Sequence, residues 1–159
     1  MKKYNVAVVG ATGAVGEEIF RVLGDIDFPM GELLPLASAN SAGSTIEYNG
    51  ENYKVVELTE TVFSEHDIDI AFFSAGGSIS AKFAHFAVES GAVVIDNTSH
   101  FRMDEKVPLV VPEVNPEDIA LWKETGIIAN PNCSTIQMVQ VLKPLDTLYG
   151  IKRVDVSTY

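Results

Sequence analysis

A near-continuous apolar run, Tyr4 to Val9, passes without a break into Gly10-Ala11-Thr12-Gly13-Ala14-Val15-Gly16 and then into a helical pattern reaching about Leu23. No other stretch constrains the fold as tightly. An apolar run without alternation reads as a strand covered on both faces, the habit of parallel sheets. Strand, glycine turn and helix in that order is the context in which a glycine motif acquires meaning. Gly10 permits the tight turn, Gly13 lets a pyrophosphate approach the backbone, and Gly16 lets helix and strand pack closely. The spacing is G-x-x-G-x-x-G rather than the commoner G-x-G-x-x-G, and a glycine turn that holds no ligand is the competing reading.

Further units of the same kind follow. Leu33 to Ala37 reads as the second strand, its pairing limited by Pro35. An NAD-preferring site places an acid at the end of this strand to bind the ribose 2′-hydroxyl. Here the segment is Ser38-Ala39-Asn40-Ser41-Ala42-Gly43, whose small donors tolerate a 2′-phosphate, so NADP is the expected cofactor; a plain polar loop is the alternative. Thr45–Tyr48 and Tyr53–Glu57 flank Asn49-Gly50 as a peripheral hairpin. Ile68 to Phe73 is the next parallel strand, ending at Ser74-Ala75-Gly76-Gly77, on the side where open α/β sheets bind ligands. Residues 80–90 read as a helix closed by Gly91. Ala92 to Asp96 is another buried strand, and Arg102 lies on the polar loop beyond its end, where an ordinary surface arginine is the alternative. Leu109 to Val111 reads as a short strand, and Asn115-Pro116 as the cap and first position of a helix to about Lys123.

The apolar segment after Gly126 delivers Asn130-Pro131-Asn132-Cys133-Ser134-Thr135-Ile136-Gln137, and Ile136, Val139 and Leu142 then recur at helical spacing. Cys133, the only cysteine, therefore falls at or within one residue of a helix N-terminus. Unpaired N–H groups there carry about half a positive charge, which favours a thiolate over a thiol. A buried structural thiol is the bland reading. The polar neighbours and the nucleotide-type turn in the same chain favour a nucleophile. Pro144 should kink this helix. After Gly150, Ile151 to Tyr159 alternates like a strand with one exposed face.

Composition excludes several classes. The 159 residues are 47% hydrophobic and 21% charged, as in an ordinary globular protein, and no run approaches the ~18 apolar residues of a membrane span. A net charge of −11 leaves no basic patch for nucleic acid, and any phosphate must be held locally by backbone N–H groups or one placed arginine. A single cysteine cannot form an internal disulfide, which fits a reducing cytoplasm.

Taken together, the glycine turn, Ser38–Gly43, Ser74-Ala75-Gly76, Asp96-Asn97-Thr98-Ser99, Arg102, Val111-Pro112-Glu113-Val114-Asn115 and above all Pro131 to Gln137 resemble the aspartate-β-semialdehyde dehydrogenase family. The resemblance runs along the whole chain and implies an α/β, Rossmann-like fold: a mostly parallel sheet with helices on both faces. It implies a cofactor domain over residues 1–132, a catalytic-cysteine helix over 133–150, and over 151–159 the first strand of a catalytic and dimerisation domain. The implied reaction is reversible reductive dephosphorylation of β-aspartyl phosphate by NADPH, through a Cys133 thioester. Gly10, Thr12, Gly13, Ala14 and Val15 would meet the cofactor phosphates, Ser38, Asn40 and Ser41 the adenosine ribose, and Ser74, Ala75, Gly76 and Gly77 the nicotinamide end. Arg102 would clamp the substrate phosphate beside Asn132. The partners implied are an acyl-phosphate substrate and inorganic phosphate, with neither nucleic acid nor membrane, in a homodimer or homotetramer of the full-length protein.

Many family members carry an arginine at the position of Asn40, which weakens the case for NADP over NAD. Family members are roughly twice this length, and the family's catalytic glutamine, histidine base and carboxylate-binding residues fall beyond Tyr159. His66, His85 and His100 lie outside those motifs and read as structural or surface residues. N-acetylglutamyl-phosphate reductase shares the glycine turn and the thioester logic; a non-catalytic nucleotide-sensing domain is the rival of another class.

Overall fold

The computed structural model describes residues 2–158; Met1 and Tyr159 lie outside the described residues. The initial strand β1 (Tyr4–Val9) runs into α1 (Ala14–Asp25), and β2 (Met30–Ala37) returns parallel to it. The hairpin β3 (Thr45–Tyr48) and β4 (Glu51–Lys54) precedes β5 (Val56–Glu57) and β6 (Ile70–Phe73). Then come α2 (Gly77–Glu89), β7 (Val93–Asp96), a 3-10 helix over Pro116–Glu124, β8 (Ile127–Ala129) and α3 (Cys133–Tyr149). Six strands form one parallel sheet in the order β5-β2-β1-β6-β7-β8. The order reverses between β1 and β6, which is where an open α/β sheet leaves a crevice at its carboxyl edge.

Alternation along β1 separates the two layers. Val6 and Val8 pack with Phe20 and Leu23 of α1, whereas Ala7 and Val9 pack with Phe83, Ala84 and Ala87 of α2. All four β1 residues are fully buried, as a strand with helices on both faces requires. At about 25 cal/mol per Å² of apolar area, each of the three valines contributes roughly 1.5–3 kcal/mol relative to exposure, and Ala7 less.

Pro35 is accommodated rather than excluded. Leu36 O accepts from Gly10 N on the β1 side and Ala37 O from Leu58 N on the other, so the missing Pro35 N–H faces the β5 side. Pairing with β5 begins only at Leu36, so no ladder bond is lost.

Four expectations change. Tyr53–Glu57 does not form one hairpin arm: Glu51–Lys54 pairs with β3, and Val56–Glu57 joins the main sheet. Leu109–Val111 forms only an isolated bridge from Leu109 to Ala129, because β8 is three residues long and offers little edge. Asn115 takes the N-cap position expected of it, but its side chain makes no capping bond. Its Oδ1 accepts from Val111 N at 2.9 Å and its Nδ2 donates to Leu109 O at 3.0 Å, and the helix is 3-10. Residues 151–158 form no strand, since an extended segment becomes one only beside a free edge; Tyr159, also assigned to that strand, lies outside the described residues.

α3 is continuous through Pro144. The Asn49-Gly50 turn forms as expected, with positive φ at both residues. No helix among the described residues is long and apolar enough to cross a membrane.

Candidate active site

Each glycine of the first turn meets a different local demand. Gly10 has φ +91°, and a Cβ there would lie 3.0 Å from Ser74 Oγ and 3.1 Å from Ala75 N. A Cβ on Gly16 would sit 2.3 Å from Gly10 O and 2.9 Å from Ala11 O, so only glycine lets α1 leave the strand at this angle. Gly13 has ordinary extended dihedrals and only Gly10 O near, at 3.4 Å. Its space lies open towards the crevice. α1 carries no side-chain N-cap, and the first-turn amides of Ala14 and Val15 have no partner among the described residues. Such amides at a helix start favour an anion.

Gly10, Thr12, Gly13, Ser38, Ser74 and Ala75 line one cavity of about 590 Å³ at the carboxyl edge of the sheet. Leu58, Ile79 and Phe83 complete its apolar wall; as plain helix or loop hydrophobes they carry no signal in the sequence. These residues fit a dinucleotide: a glycine turn with free amides at one end, an apolar slot beside it, and no acid on the wall. Asn40 and Ser41 stand outside this cavity in an exposed to half-buried turn, closed by Ser41 N and Ala42 N on Ser38 O. Val15 lines a smaller space of about 260 Å³ with Asn97 and Asn130. Gly76 and Gly77 start α2, and Gly77 faces Ser99 and His100. A cavity of about 580 Å³ between α1 and the hairpin contains none of the predicted site residues; Arg21 on its wall is already paired with Glu18 and Asp25.

Arg102 is held from two strand ends. Its Nε donates to Asn130 O at 3.0 Å and its Nη2 to Asn97 O at 3.1 Å. The Asn130 amide in turn donates to Asn97 Oδ1 at 2.6 Å. Of the five guanidinium N–H groups, the side edge is thereby used, and the end formed by Nη1 and the remaining Nη2 hydrogen stays available for a planar anion. Asn97 and Asn130 were not singled out from the sequence as site residues, because backbone carbonyls leave no sequence signature.

Cys133 is the first residue of α3 and is exposed. Asn132 is the cap: its Oδ1 accepts from Ser134 N at 3.0 Å, Ser134 Oγ at 2.6 Å and Thr135 N at 3.4 Å. The Asn132 carbonyl oxygen is thus occupied, and its amide nitrogen is the group left to face a ligand. Cys133 itself lines neither cavity at the carboxyl edge. His66 pairs with Glu32, while His85 and His100 lie exposed against Phe86 and Phe101, in line with a structural or surface role.

Residues 5–122 match the semialdehyde dehydrogenase NAD binding domain. The aspartate-semialdehyde dehydrogenase of Campylobacter jejuni is 72% identical over 99% of this chain, which covers 46% of that protein. The crystal structure of aspartate semialdehyde dehydrogenase II from Vibrio cholerae, complexed with ASA, superposes with a TM-score of 0.91 at 55% identity, over 96% of this chain and 49% of that one. The Candida albicans enzyme, solved with NADP, superposes at 0.72 with 28% identity, over 94% and 48%. The chain thus spans about half the length of the relatives it matches. Its glycine turn, sheet order and matched sequence place the chain in the semialdehyde dehydrogenase family, with residues 5–122 as its NAD-binding domain.

Proposed function

We propose that this chain is the cofactor-binding and nucleophile-bearing part of a cytoplasmic aspartate-β-semialdehyde dehydrogenase. The enzyme reversibly converts β-aspartyl phosphate to the semialdehyde with NADPH, as a step in making the amino acids that derive from aspartate. One observation carries the reading: a single arginine is pinned by backbone carbonyls of two adjacent strand ends, and the second of those strands leads within four residues to an exposed cysteine at a helix start.

Cys133 Sγ attacks the acyl carbon, and the carbon–oxygen bond to phosphate breaks, leaving a thioester and inorganic phosphate. Arg102 holds the phosphate through its outward fork and carries its charge as it departs. The Asn132 amide donates to the same anion while its carbonyl keeps the helix start in place. A nicotinamide held in the crevice would supply the hydride for reducing the thioester, and the carbon–sulfur bond then breaks to release the aldehyde and return Cys133 as a thiolate. The first-turn amides of α1 hold its pyrophosphate, and Ser38, Asn40 and Ser41 accept a 2′-phosphate without opposing charge. The half of the relatives' length outside these residues completes the site, so the 159 residues alone bind nucleotide and do not turn over.

The test uses the full-length protein. NADPH formation is followed with aspartate-β-semialdehyde or N-acetylglutamate semialdehyde, each with NADP and phosphate, beside Cys133→Ser. Aspartate-specific turnover that needs both phosphate and Cys133 supports the reading. Turnover with the glutamate compound transfers it to N-acetylglutamyl-phosphate reductase, and turnover with neither leaves a nucleotide-sensing domain.

A further inference from the structure

Asp96, the last residue of β7, is fully buried, and no Lys, Arg or His pairs with it among the described residues. Its carboxylate is held by three neutral donors. Oδ1 accepts from Ser80 Oγ at 2.8 Å and from Thr98 N at 3.0 Å, and Oδ2 accepts from Thr98 Oγ1 at 2.8 Å. Thr98 Oγ1 also lies 3.2 Å from Ser80 Oγ, but each hydroxyl has one proton, and the carboxylate is the stronger acceptor for both. Ser80 belongs to the first turn of α2, whose helix start adds a favourable field. Taking a carboxylate out of water without a counter-charge is still expensive. For folding alone, an apolar cluster in place of the acid and its donors would cost less.

The location of its contacts accounts for the acid. The Asp96 side chain grips both the N–H and the hydroxyl of Thr98, so the chain is fixed on either side of Asn97, whose own N–H donates to Phe73 O at 2.9 Å. That leaves the Asn97 carbonyl one direction, and it receives Arg102 Nη2. The Asp96 main-chain carbonyl accepts from Asn130 N at 2.8 Å, next to the Asn130 carbonyl that receives Arg102 Nε. Both acceptors that aim the guanidinium are therefore set from Asp96, one through its side chain and one through its backbone.

We propose that Asp96 is a positioning residue for oxyanion capture: its buried carboxylate, through Thr98, fixes the loop that aims Arg102 at phosphate. The proposal deepens the reading above and rests on it for the identity of the anion. Asp96→Asn keeps the shape but turns one acceptor into a donor, and Thr98→Val removes the hydroxyl that Oδ2 needs, whereas Thr98→Ser keeps it. In the full-length protein, Asp96→Asn and Thr98→Val raise KM for inorganic phosphate on the order of tenfold to a hundredfold, as expected for a misaimed binding group. KM for NADP stays within about twofold, since the glycine turn is untouched, and Thr98→Ser restores the phosphate KM. A phosphate KM unchanged in both variants, with only kcat or melting temperature lowered, overturns the proposal. A second readout needs no turnover: inorganic phosphate binding followed by phosphorus NMR line width. If the wild type binds phosphate without turning over and Asp96→Asn loses that binding, the function reading fails and the positioning role stands. Wild-type-like phosphate binding by Asp96→Asn overturns the role, whatever the activity.

Discussion

Arg102 Nε and Asn130 O lie 3.0 Å apart, which ties the proposed phosphate clamp to the residue three positions before the cysteine. Lysine cannot reproduce this arrangement. Its single nitrogen cannot satisfy the carbonyls of Asn130 and Asn97 and still present a planar fork outward. Arg102→Lys in the full-length protein is expected to raise KM for phosphate on the order of 100-fold, the usual cost of losing one preorganised donor. Steady-state kinetics at varied phosphate check it; a change below about threefold would show that charge alone suffices.

Gly16 and Gly13 share a motif but should fail differently. A Cβ on Gly16 meets Gly10 O at 2.3 Å, a backbone atom that cannot swing aside. Gly16→Ala is expected to destabilise the fold by about 3 kcal/mol, at the upper end for overpacking. Gly13 has an allowed extended conformation and no contact closer than 3.4 Å. Gly13→Ala should cost no more than about 1 kcal/mol, as a less favourable helix cap, yet weaken NADP binding by filling the space of the pyrophosphate. Urea melts read the first effect and a fluorescence titration with NADPH the second.

The glycine turn was legible in the sequence because each of its demands is local: a positive φ at Gly10 and contacts within a few residues at Gly16. The position of Cys133 was legible for the same reason, since proline, polar cap and apolar periodicity lie side by side. What sequence reading missed is non-local. Leu109–Val111 and Ile151–Thr158 have strand-like patterns, but a strand also needs a neighbouring edge, and no pattern within the segment reports one. The hold on Arg102 was equally hidden, because its two acceptors are main-chain carbonyls that any residue supplies.

Tyr48 supplies a test of core chemistry away from the site. It is buried against α1, and its hydroxyl has no hydrogen-bond partner among the described residues, although the Asn49 side chain lies nearby. Burial pushes the phenol above its ordinary pKa, with Asp27 adding to the effect. An unpaired buried hydroxyl costs free energy, so Tyr48→Phe should be neutral or stabilising by about 1 kcal/mol. A loss of more than about 1 kcal/mol in a thermal melt would mean that the hydroxyl does make a bond.

Asp69 links acid stability to the entry of β6 into the sheet. Asn5 N donates to its Oδ2 at 2.9 Å, and Lys2 Nζ lies 3.3 Å from Oδ1. The Asn5 N–H, and secondarily Lys2, hold its carboxyl below the usual range despite partial desolvation. A carboxylate with a depressed folded pKa adds stability above its unfolded value, about 3.9, and loses it as pH falls through the folded value. Asp69→Asn should therefore lower stability at pH 7 by about 1 kcal/mol, discounted for its partial exposure. Below both values the two proteins should converge. Parallel denaturant melts at neutral pH and at about pH 2 check the sign; a constant gap would locate the effect in packing instead.

Cofactor choice rests on the end of β2. Ser38 follows Ala37 directly and lines the 590 Å³ cavity, the place where an NAD site keeps an acid for the ribose hydroxyls. A carboxylate there would accept from a 2′-hydroxyl and repel a 2′-phosphate carrying nearly two negative charges. Among the described residues no cation lines this wall to offset that repulsion: the cavity is bounded by Gly10, Thr12, Gly13, Ser38, Ser74, Ala75 and apolar residues. Ser38→Asp is therefore expected to weaken NADP binding on the order of 100-fold, since like charges set side by side cost several kcal/mol. NAD binding should strengthen or hold, so the ratio of the two affinities reverses. Titrating wild type and variant with both nucleotides measures that ratio directly. An unchanged ratio would mean that the adenosine ribose does not lie against Ser38, and any discrimination between the two nucleotides would then have to be sought at Asn40 and Ser41.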